Sequence, residues 1–218
     1  MLHRLLAAGS ALLLGACTVV GVRSGTEEPA FENLGTEAGL ELRRYGPRLA
    51  AETLVEANET AARSEGFSRL AGYIFGGNAG AARIAMTAPV AQQGARDGGR
   101  QQAQGTRIAM TAPVAQEAAG EGHAIRFFLP AALRDPPAPN DARVRIVEVP
   151  GETVAVFRFT GGTDPDSVAA ARARLLAPLP RTSWVAAGEP IAWFYDPPWT
   201  IPALRRNEVA VPVAPRGG

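Results

Sequence analysis

The sequence predicts a single α+β domain that contains two similar halves. Two segments have the apolar spacing of amphipathic helices, and short strand-like runs bounded by Gly, Pro, Asn or Asp surround both of them. Two strands, a helix and two strands follow one another along the chain, and much the same order then repeats. Both helices are therefore expected to lie with their apolar faces on a sheet.

The chain begins with an export signal rather than with an element of the fold. Arg4 precedes an apolar run over residues 5–14, and small residues then lead to Cys17. This run is shorter than the roughly 20 residues that span a bilayer. The letters LGAC at 14–17 resemble a bacterial lipobox, in which cleavage leaves a lipidated cysteine at the new N-terminus. The alternative is a plain secretory signal with an incidental cysteine.

Lipidation of Cys17 divides the chain into three parts and indicates its compartment. Residues 1–16 are then a signal peptide, residues 17–32 a tether and residues 33–213 the folded domain. Several acyl chains anchor a protein stably, so the sequence predicts a bacterial cell-envelope protein held to a membrane. Thr18 stands where Asp is the usual inner-membrane retention signal, and we therefore expect the outer membrane, with the domain facing the periplasm.

Composition and motifs argue against several function classes. The formal charge is +1, and removal of Arg4 with the signal leaves 21 basic and 21 acidic residues, so nucleic acid is not an expected partner. Cys17 is the only cysteine, which leaves no intrachain disulfide and no thiolate metal cluster. The sequence has no Gly-x-Ser-x-Gly elbow, phosphate loop, dinucleotide fingerprint or metal-ligand spacing. We expect a binding protein rather than an enzyme, and its oligomeric state stays open.

Each predicted helix has a start signal and a stop signal. The first follows Asn58, whose side chain suits an N-cap, and stops at Gly76 and Gly77. Its apolar face carries Phe67, Leu70, Ala71 and Ile74. The second takes Asp164 as its N-cap and Pro165 as its first residue. Its apolar face carries Val168, Ala171, Leu175 and Leu179, before Pro180.

Strand-like runs make up the rest of the domain. They cover residues 40–45, 48–56, 123–129, 143–149, 153–159, 191–195 and 208–211, together with two copied segments. Residues 135–141 (DPPAPND) form a stiff connector between the halves, and residues 94–105, rich in Gly, Gln and Arg, indicate a flexible loop.

The copied segments are ten identical residues, RIAMTAPVAQ, at 83–92 and 107–116. They contain no Ser, Cys, His, Asp or Glu, so the segment suits packing or binding rather than catalysis. Its proline removes a backbone donor, which predicts a sheet edge or a bulge. We expect the copies to pair as a hairpin across residues 94–105. In that case Met86 and Met110 do not both face the same ligand.

Several segments together resemble the SOUL haem-binding family. They are LELRRYGP at 40–47, F-x-x-L-x-x-Y-I-x-G-x-N at 67–78, IAMTAPV, the DPPAPND connector, and YDPP at 195–198 followed by RRNEV at 205–209. The likeness covers residues 31–213. It implies a twisted antiparallel sheet or open β-barrel of two pseudo-symmetric halves with two helices. It also implies that haem or another tetrapyrrole is the ligand.

The resemblance further implies an apolar cleft beside the first helix. Its walls would be Phe67, Leu70, Ala71 and Ile74, with Met86 or Met110 nearby, because a flat macrocycle needs apolar walls. Cations at the rim would receive the propionates. The candidates for these cations are Arg83, Arg107, Arg44 and Arg69.

The iron ligand is an open question in this sequence. Some family members offer a histidine just before the Tyr-Gly-Pro turn, where this chain has Arg44, which does not ligate iron. The remaining candidates are His123, Met86, Met110 and Tyr45, as imidazole, thioether or phenolate. Binding without any iron ligand is an equal alternative under the resemblance.

Three hypotheses for the function follow. The first is a lipid-anchored binder of haem or another tetrapyrrole in the cell envelope. The second is a binder of a different hydrophobic small molecule in the same cleft. The third is a structural or interaction protein that pairs with another chain through its edge strands.

Overall fold

A computed structural model describes residues 26–95, 122–197 and 199–217. The predictions for residues 1–16, for Cys17 and for most of the tether therefore lie outside the described residues. So does the second copy of the repeat, with Arg107 and Met110.

The described residues form two helices, ten strands and two short 3-10 turns. The helices are α1 (Glu59–Ile74) and α2 (Pro165–Leu176). The strands are β1 (Phe31–Glu37), β2 (Leu40–Tyr45), β3 (Arg48–Glu56), β4 (Val90–Ala95), β5 (Gly122–Phe128), β6 (Val144–Val149), β7 (Glu152–Phe159), β8 (Trp184–Ala186), β9 (Ile191–Phe194) and β10 (Asn207–Pro215).

Both helices start where the sequence predicts. The Asn58 side chain accepts a hydrogen bond from Ala61 N at 3.0 Å, and the Asp164 side chain accepts one from Ser167 N at 2.9 Å. Each bond satisfies a backbone donor that lacks a partner in the first helical turn. The chain leaves α1 through Gly76, whose φ of 114° lies in the region that glycine adopts without strain.

All ten strands belong to one antiparallel sheet that curls into an open half-barrel. The strand order is β1-β2-β7-β10-β9-β4-β5-β3-β6, and β8 pairs with the end of β10. In the described part of the chain β1 and β6 are the free edges, so the barrel is not closed. The α+β class and the open antiparallel sheet with two helices are confirmed.

The two predicted halves meet at the β4–β9 pair in the middle of the sheet. On one side stand β9, β10, β7 and β2, and on the other stand β4, β5, β3 and β6 in the equivalent order. Helix α1 packs on β3 and β5, and α2 packs on the equivalent β7 and β10. The halves exchange one strand each: β2 precedes β3 but pairs with β7, while β6 precedes β7 but pairs with β3.

Alternation along the strands gives the sheet two different faces. The helix face holds two apolar clusters, one under α1 around Leu70 and Ile125, and one under α2 around Val168 and Val209. The other face, which we call the aromatic face, carries Tyr45, Phe128, Trp193 and Tyr195 with small apolar residues. Only the helix face was expected from the helix patterns.

The first copy of the repeat corrects two predictions. Only its end, Val90 to Gln92, lies in a strand, and that strand is central rather than at an edge: Pro89 comes just before β4, where its missing N–H costs no ladder bond. Both sides of Val90–Gln92 are occupied, by β5 and by β9. The predicted hairpin between the copies is therefore wrong for this segment.

Two strands were not predicted. Strand β1 is an exposed edge strand without alternating apolar residues and has an irregular register between Asn33 and Gly35. Strand β8 has only three residues. Residues before the predicted domain start at 33 also contact the domain, since the Glu27 carbonyl accepts a hydrogen bond from Ala88 N at 2.9 Å.

Candidate functional site

The predicted cleft residues of α1 divide into buried and accessible ones. Leu70 and Ile74 are fully buried in the apolar cluster between α1 and the sheet. Ala71 is half-buried, and Phe67 keeps 38% of its surface exposed. The ring of Phe67 packs at an edge-on angle against Phe127 of β5, with 5.2 Å between the ring centroids. Phe67 and Ala71 are thus the predicted wall residues on α1 that a ligand can contact.

Met86 lies near the same end of β5. The segment that carries it is fixed on both sides, since Ile84 N donates to Ile74 O at 2.9 Å and the Thr87 hydroxyl donates to Phe128 O. Met86 between them is 40% exposed, although it is a large apolar side chain. The structure therefore brings Met86 toward the end of the wall that Phe67 and Phe127 form.

A loop after β9 approaches α1 from the other side. Arg63, one turn before Phe67, lies over the ring of Phe194 with its guanidinium carbon 4.5 Å from the ring centroid. Burial lowers the pKa of Arg63; Glu59 and Asp164 oppose this, and the charge of Arg205 in the loop adds to the lowering. Arg205 Nε in turn donates to Thr200 O at 2.8 Å. Arg63 of α1 and Arg205 of the loop are therefore close enough for their charges to repel each other.

This loop carries three large apolar side chains that are open to solvent, with exposures of 64% for Trp199, 45% for Ile201 and 46% for Leu204. We use the name α1 groove for the candidate surface to which α1, the segment of Met86 and this loop contribute. Its members are Arg63, Phe67, Ala71, Met86, Trp199, Ile201 and Leu204. Exposed apolar patches of this kind mark binding surfaces more often than isolated exposed residues do.

The residues of the 199–205 loop and Arg63 were not among the predicted site residues. Three bulky apolar residues within a proline-rich loop, WTIPAL at 199–204, were the available signal. Arg63 stands four residues before Phe67, which places it on the same side of a helix. Neither observation alone reveals that the loop meets α1, because this depends on the central position of β9.

The arginines predicted at the rim of the cleft differ in whether other protein groups already bind them. Arg83 is exposed and forms no ion pair within the part of the chain that the structure describes. Arg69 is engaged with Glu65, with Thr53 Oγ1 and with Leu54 O on β3. Arg44 of β2 pairs with Glu32 of the edge strand β1 at 2.9 Å. Of the described candidates, Arg83 and the unpredicted Arg63 are therefore suited to an anionic ligand group at the groove.

The iron-ligand candidates are spread over the fold. His123 begins β5 under the start of α1, with its Nδ1 3.1 Å from Ala57 O. It precedes Phe127 by four residues on the same strand, a separation of about 13 Å. Tyr45 lies on the aromatic face, away from α1. Met86 is thus the described candidate at the groove. No group of three or more potential metal ligands occurs among the described residues.

The aromatic face contains a buried network of charges. The Glu208 carboxylate accepts hydrogen bonds from Arg43 Nη1 at 2.7 Å, from the Tyr195 hydroxyl at 2.7 Å and from Arg206 Nε at 3.0 Å. Burial alone would raise the pKa of Glu208, but Arg43, Tyr195 and Arg206 outweigh it and lower the pKa. Burial, with the charge of Glu208, raises the pKa of Tyr195 far above its ordinary range. The charges of this network are therefore paired with one another inside an otherwise apolar face.

No helix among the described residues has the length and apolar character needed to cross a bilayer.

A family model for SOUL heme-binding protein matches residues 26–212. No curated protein matches the chain at a significant level.

Three solved structures share the fold. A cryo-EM structure of an EcmrR–DNA complex has a TM-score of 0.55 at 12% identity, covering 81% of this chain and 57% of that one. An uncharacterized conserved protein from Listeria innocua has a TM-score of 0.55 at 8% identity, covering 80% and 92%. A hydrolase from the same organism has a TM-score of 0.50 at 9% identity, covering 83% and 94%. At these identities the likeness shows the fold alone.

Proposed function

The chain belongs to the SOUL haem-binding protein family, and on that premise we propose that it binds haem or another tetrapyrrole in the α1 groove. The observation that carries this proposal is a set of exposed large apolar side chains: Phe67 on α1, Met86 in the segment after it, and Trp199, Ile201 and Leu204 in the loop after β9. A flat macrocycle buries its apolar surface against such side chains, and this burial is the main source of affinity.

The residues present fit the charged part of a tetrapyrrole as well. Arg63 and Arg83 are guanidinium groups at or near the groove, and guanidinium binds carboxylates such as propionates in a bidentate manner. Met86 can offer its thioether to an iron, whereas His123 is too far along β5 to do so from the same place. We therefore propose binding that depends chiefly on apolar contacts. Haem, when bound, supplies the redox chemistry of its iron.

We further propose that the protein works in the bacterial cell envelope, anchored by lipid on Cys17 and facing the periplasm from the outer membrane. The support is the lipobox-like sequence and the short distance to the fold. Glu27 already contacts the domain, and the ten residues from Cys17 to Glu27 span at most about 35 Å. A domain held this close can receive an apolar ligand at the membrane surface.

A haem titration of residues 18–218, made without the lipid, tests the ligand and the site together. We expect a saturable Soret shift at micromolar haem. Phe67→Asp should weaken the affinity at least about tenfold, because it places a carboxylate against the macrocycle and near its propionates. Leu176→Asp is the matched control, since Leu176 is 39% exposed and also lies on a helix, but on α2.

Equal affinity in Phe67→Asp and Leu176→Asp contradicts the α1 groove as the site. Metal-free protoporphyrin, followed by fluorescence, decides the role of iron. Similar affinities for haem and for the metal-free ring support binding through apolar contacts. A much lower affinity for the metal-free ring indicates that the protein ligates the iron, and Met86→Leu should then abolish this ligation.

A further inference from the structure

The loop after β9 presents an uncharged, apolar surface to solvent. Residues 197–204, PPWTIPAL, contain no charged side chain, and we call them the apolar loop. Trp199 is 64% exposed, more than any other large apolar residue that the structure describes, and Ile201 and Leu204 are 45% and 46% exposed. Thr200 is only 1% exposed, so Trp199 and Ile201 face solvent on either side of a buried residue.

Backbone hydrogen bonds hold the apolar loop in this arrangement. Leu204 N donates to Ile201 O at 2.9 Å across the 3-10 turn Pro202–Leu204. Gly161 N, just after β7, donates to Pro202 O at 2.9 Å and so joins the loop to the sheet. The three apolar side chains are therefore exposed by a loop with fixed backbone contacts, and a cluster of this kind marks an interaction surface.

The chain that leads from Cys17 joins the fold at the base of the apolar loop. Arg206 closes the loop, because its backbone N donates to Asp196 Oδ2 at 2.6 Å. The Arg206 side chain also binds Glu28, with Nη1 2.9 Å from Oε1 and 3.0 Å from Oε2. Glu28 is eleven residues after Cys17, a stretch that reaches at most about 40 Å. A lipid on Cys17 is thus attached close to the apolar loop.

The character of the apolar loop decides what kind of partner fits. Tryptophan is enriched at membrane interfaces, because its ring is apolar and its N–H is polar. The two arginines that follow the loop are engaged, since Arg205 Nε donates to Thr200 O at 2.8 Å and Arg206 binds Glu28 and Glu208. Attraction to a bilayer should therefore come from the apolar side chains rather than from anionic headgroups.

We propose that the apolar loop inserts Trp199, Ile201 and Leu204 into the surface of a lipid bilayer, as a second membrane contact beside the lipid on Cys17. A contact of this size binds weakly by itself, but a covalent anchor within about 40 Å raises its effective concentration at the bilayer. The inference rests on the anchor of the proposed function and not on the identity of the ligand. Because the loop also contributes to the α1 groove, an apolar ligand can pass between lipid and groove with little exposure to water.

Vesicle binding by residues 18–218 tests the apolar loop without the anchor, in a chain that contains all of residues 26–212 matched by the family model. The probe is vesicles of phosphatidylethanolamine and phosphatidylglycerol, with or without brominated acyl chains, which quench tryptophan fluorescence on contact. We expect a saturable blue shift at about millimolar lipid and quenching by the brominated lipid. Trp199→Phe should remove both signals, because Trp193 is buried and Trp184 lies on β8, which pairs with the other end of β10.

Two aspartate variants separate the apolar loop from other exposed apolar positions. Ile201→Asp should weaken vesicle binding at least about fivefold, because it replaces an apolar side chain of the contact by a charged one. Leu176→Asp is the control and should bind like the wild type. Leu176 is 39% exposed at the end of α2, and the turn after α2 packs on β8, at the far end of β10. Vesicles of phosphatidylcholine alone should bind nearly as well as the anionic ones.

Several results overturn the membrane contact. They are no vesicle binding, binding without quenching of Trp199, equal affinities of Ile201→Asp and Leu176→Asp, and binding that disappears in phosphatidylcholine. The vesicles contain no tetrapyrrole, so the haem titration fails or succeeds independently. A Soret shift without vesicle binding contradicts only the membrane contact, and vesicle binding without a Soret shift contradicts only the tetrapyrrole. Cys17→Ser in the full chain tests the anchor separately and should move the protein out of the membrane fraction.

Discussion

Replacement of Glu208 by glutamine is expected to lower the free energy of unfolding by about 3–5 kcal/mol. The Glu208 carboxylate is completely buried and accepts from Arg43, Tyr195 and Arg206. Glutamine has almost the same shape, but it leaves the Arg43 and Arg206 guanidinium groups facing a neutral amide, with only Glu41 and Glu28 as their remaining carboxylate partners. The penalty arises from the lost charge pairing at this buried position rather than from lost packing. Urea unfolding at pH 7 measures it.

The same network gives the stability a defined pH dependence. Because the pKa of Glu208 is lower in the folded protein than in the unfolded chain, its contribution is present above the unfolded value of about 4.3. It is lost as the pH falls through the folded pKa. The difference between the wild type and Glu208→Gln should therefore be largest near pH 7 and should narrow as the pH falls below about 4.

Glu32→Gln is the matched control for this prediction. Glu32 pairs with Arg44 at 2.9 Å, but both side chains are more than half exposed. Exposed pairs contribute about 0–1 kcal/mol, so this variant should be close to the wild type. Equal losses of unfolding free energy in Glu32→Gln and Glu208→Gln would contradict a larger stabilising contribution from the buried network.

Replacement of Gly66 by leucine is expected to destabilise the domain by up to about 3 kcal/mol and to weaken ligand binding. Gly66 of α1 lies directly against Ile125 of β5. A Cβ atom there would lie 2.4 Å from Cγ1 of Ile125 and 2.7 Å from its Cβ. The helix must therefore move away from the sheet. Because Phe67 is the next residue, this movement also shifts the wall of the α1 groove.

A second substitution at Gly66 separates the effect of the contact with Ile125 on stability from the effect of helix propensity. Gly66→Ala in an otherwise unchanged chain gains about 1 kcal/mol of helix propensity but still meets Ile125. Ile125→Ala keeps the Cβ contact but removes Cγ1 and Cγ2, so the double variant should be more stable than the sum of the two single effects predicts. Gly72→Ala is the control, since nothing lies within 4 Å of a Cβ at that position. Additive effects of Gly66→Ala and Ile125→Ala contradict the close contact.

Local signals made the helices predictable, and the lack of such signals explains the missed strands. Asn58 and Asp164 act through bonds to residues three positions away, so their roles can be inferred from a short stretch of sequence. The place of β4 depends instead on its pairing with β9, which lies a hundred residues later. A proline suggested an edge, but Pro89 precedes the strand and does not interrupt it.

The candidate site was also predicted only in part, because local spacing shows which residues share a helix face but not what packs against them. Phe67 and Ala71 follow from helical spacing, whereas the spacing does not distinguish them from Leu70 and Ile74, which the sheet buries. The buried charges were not predicted at all. Arg43 and Glu208 are 165 residues apart, and each resembles an ordinary surface charge in a strand. Only the strand pairings of β2 and β10 with β7 between them bring the two together.

The methyl signals of the methionines provide the most direct test of the α1 groove as the tetrapyrrole site. Residues 18–218 contain Met86 and Met110, and Met86→Leu assigns their ¹³C-methyl resonances. Zinc protoporphyrin is diamagnetic, and its ring current shifts only nuclei close to the macrocycle. Binding in the α1 groove predicts a large upfield shift of the Met86 methyl resonance that saturates together with the Soret change. A saturating Soret change with an unshifted Met86 methyl resonance contradicts the α1 groove as the site.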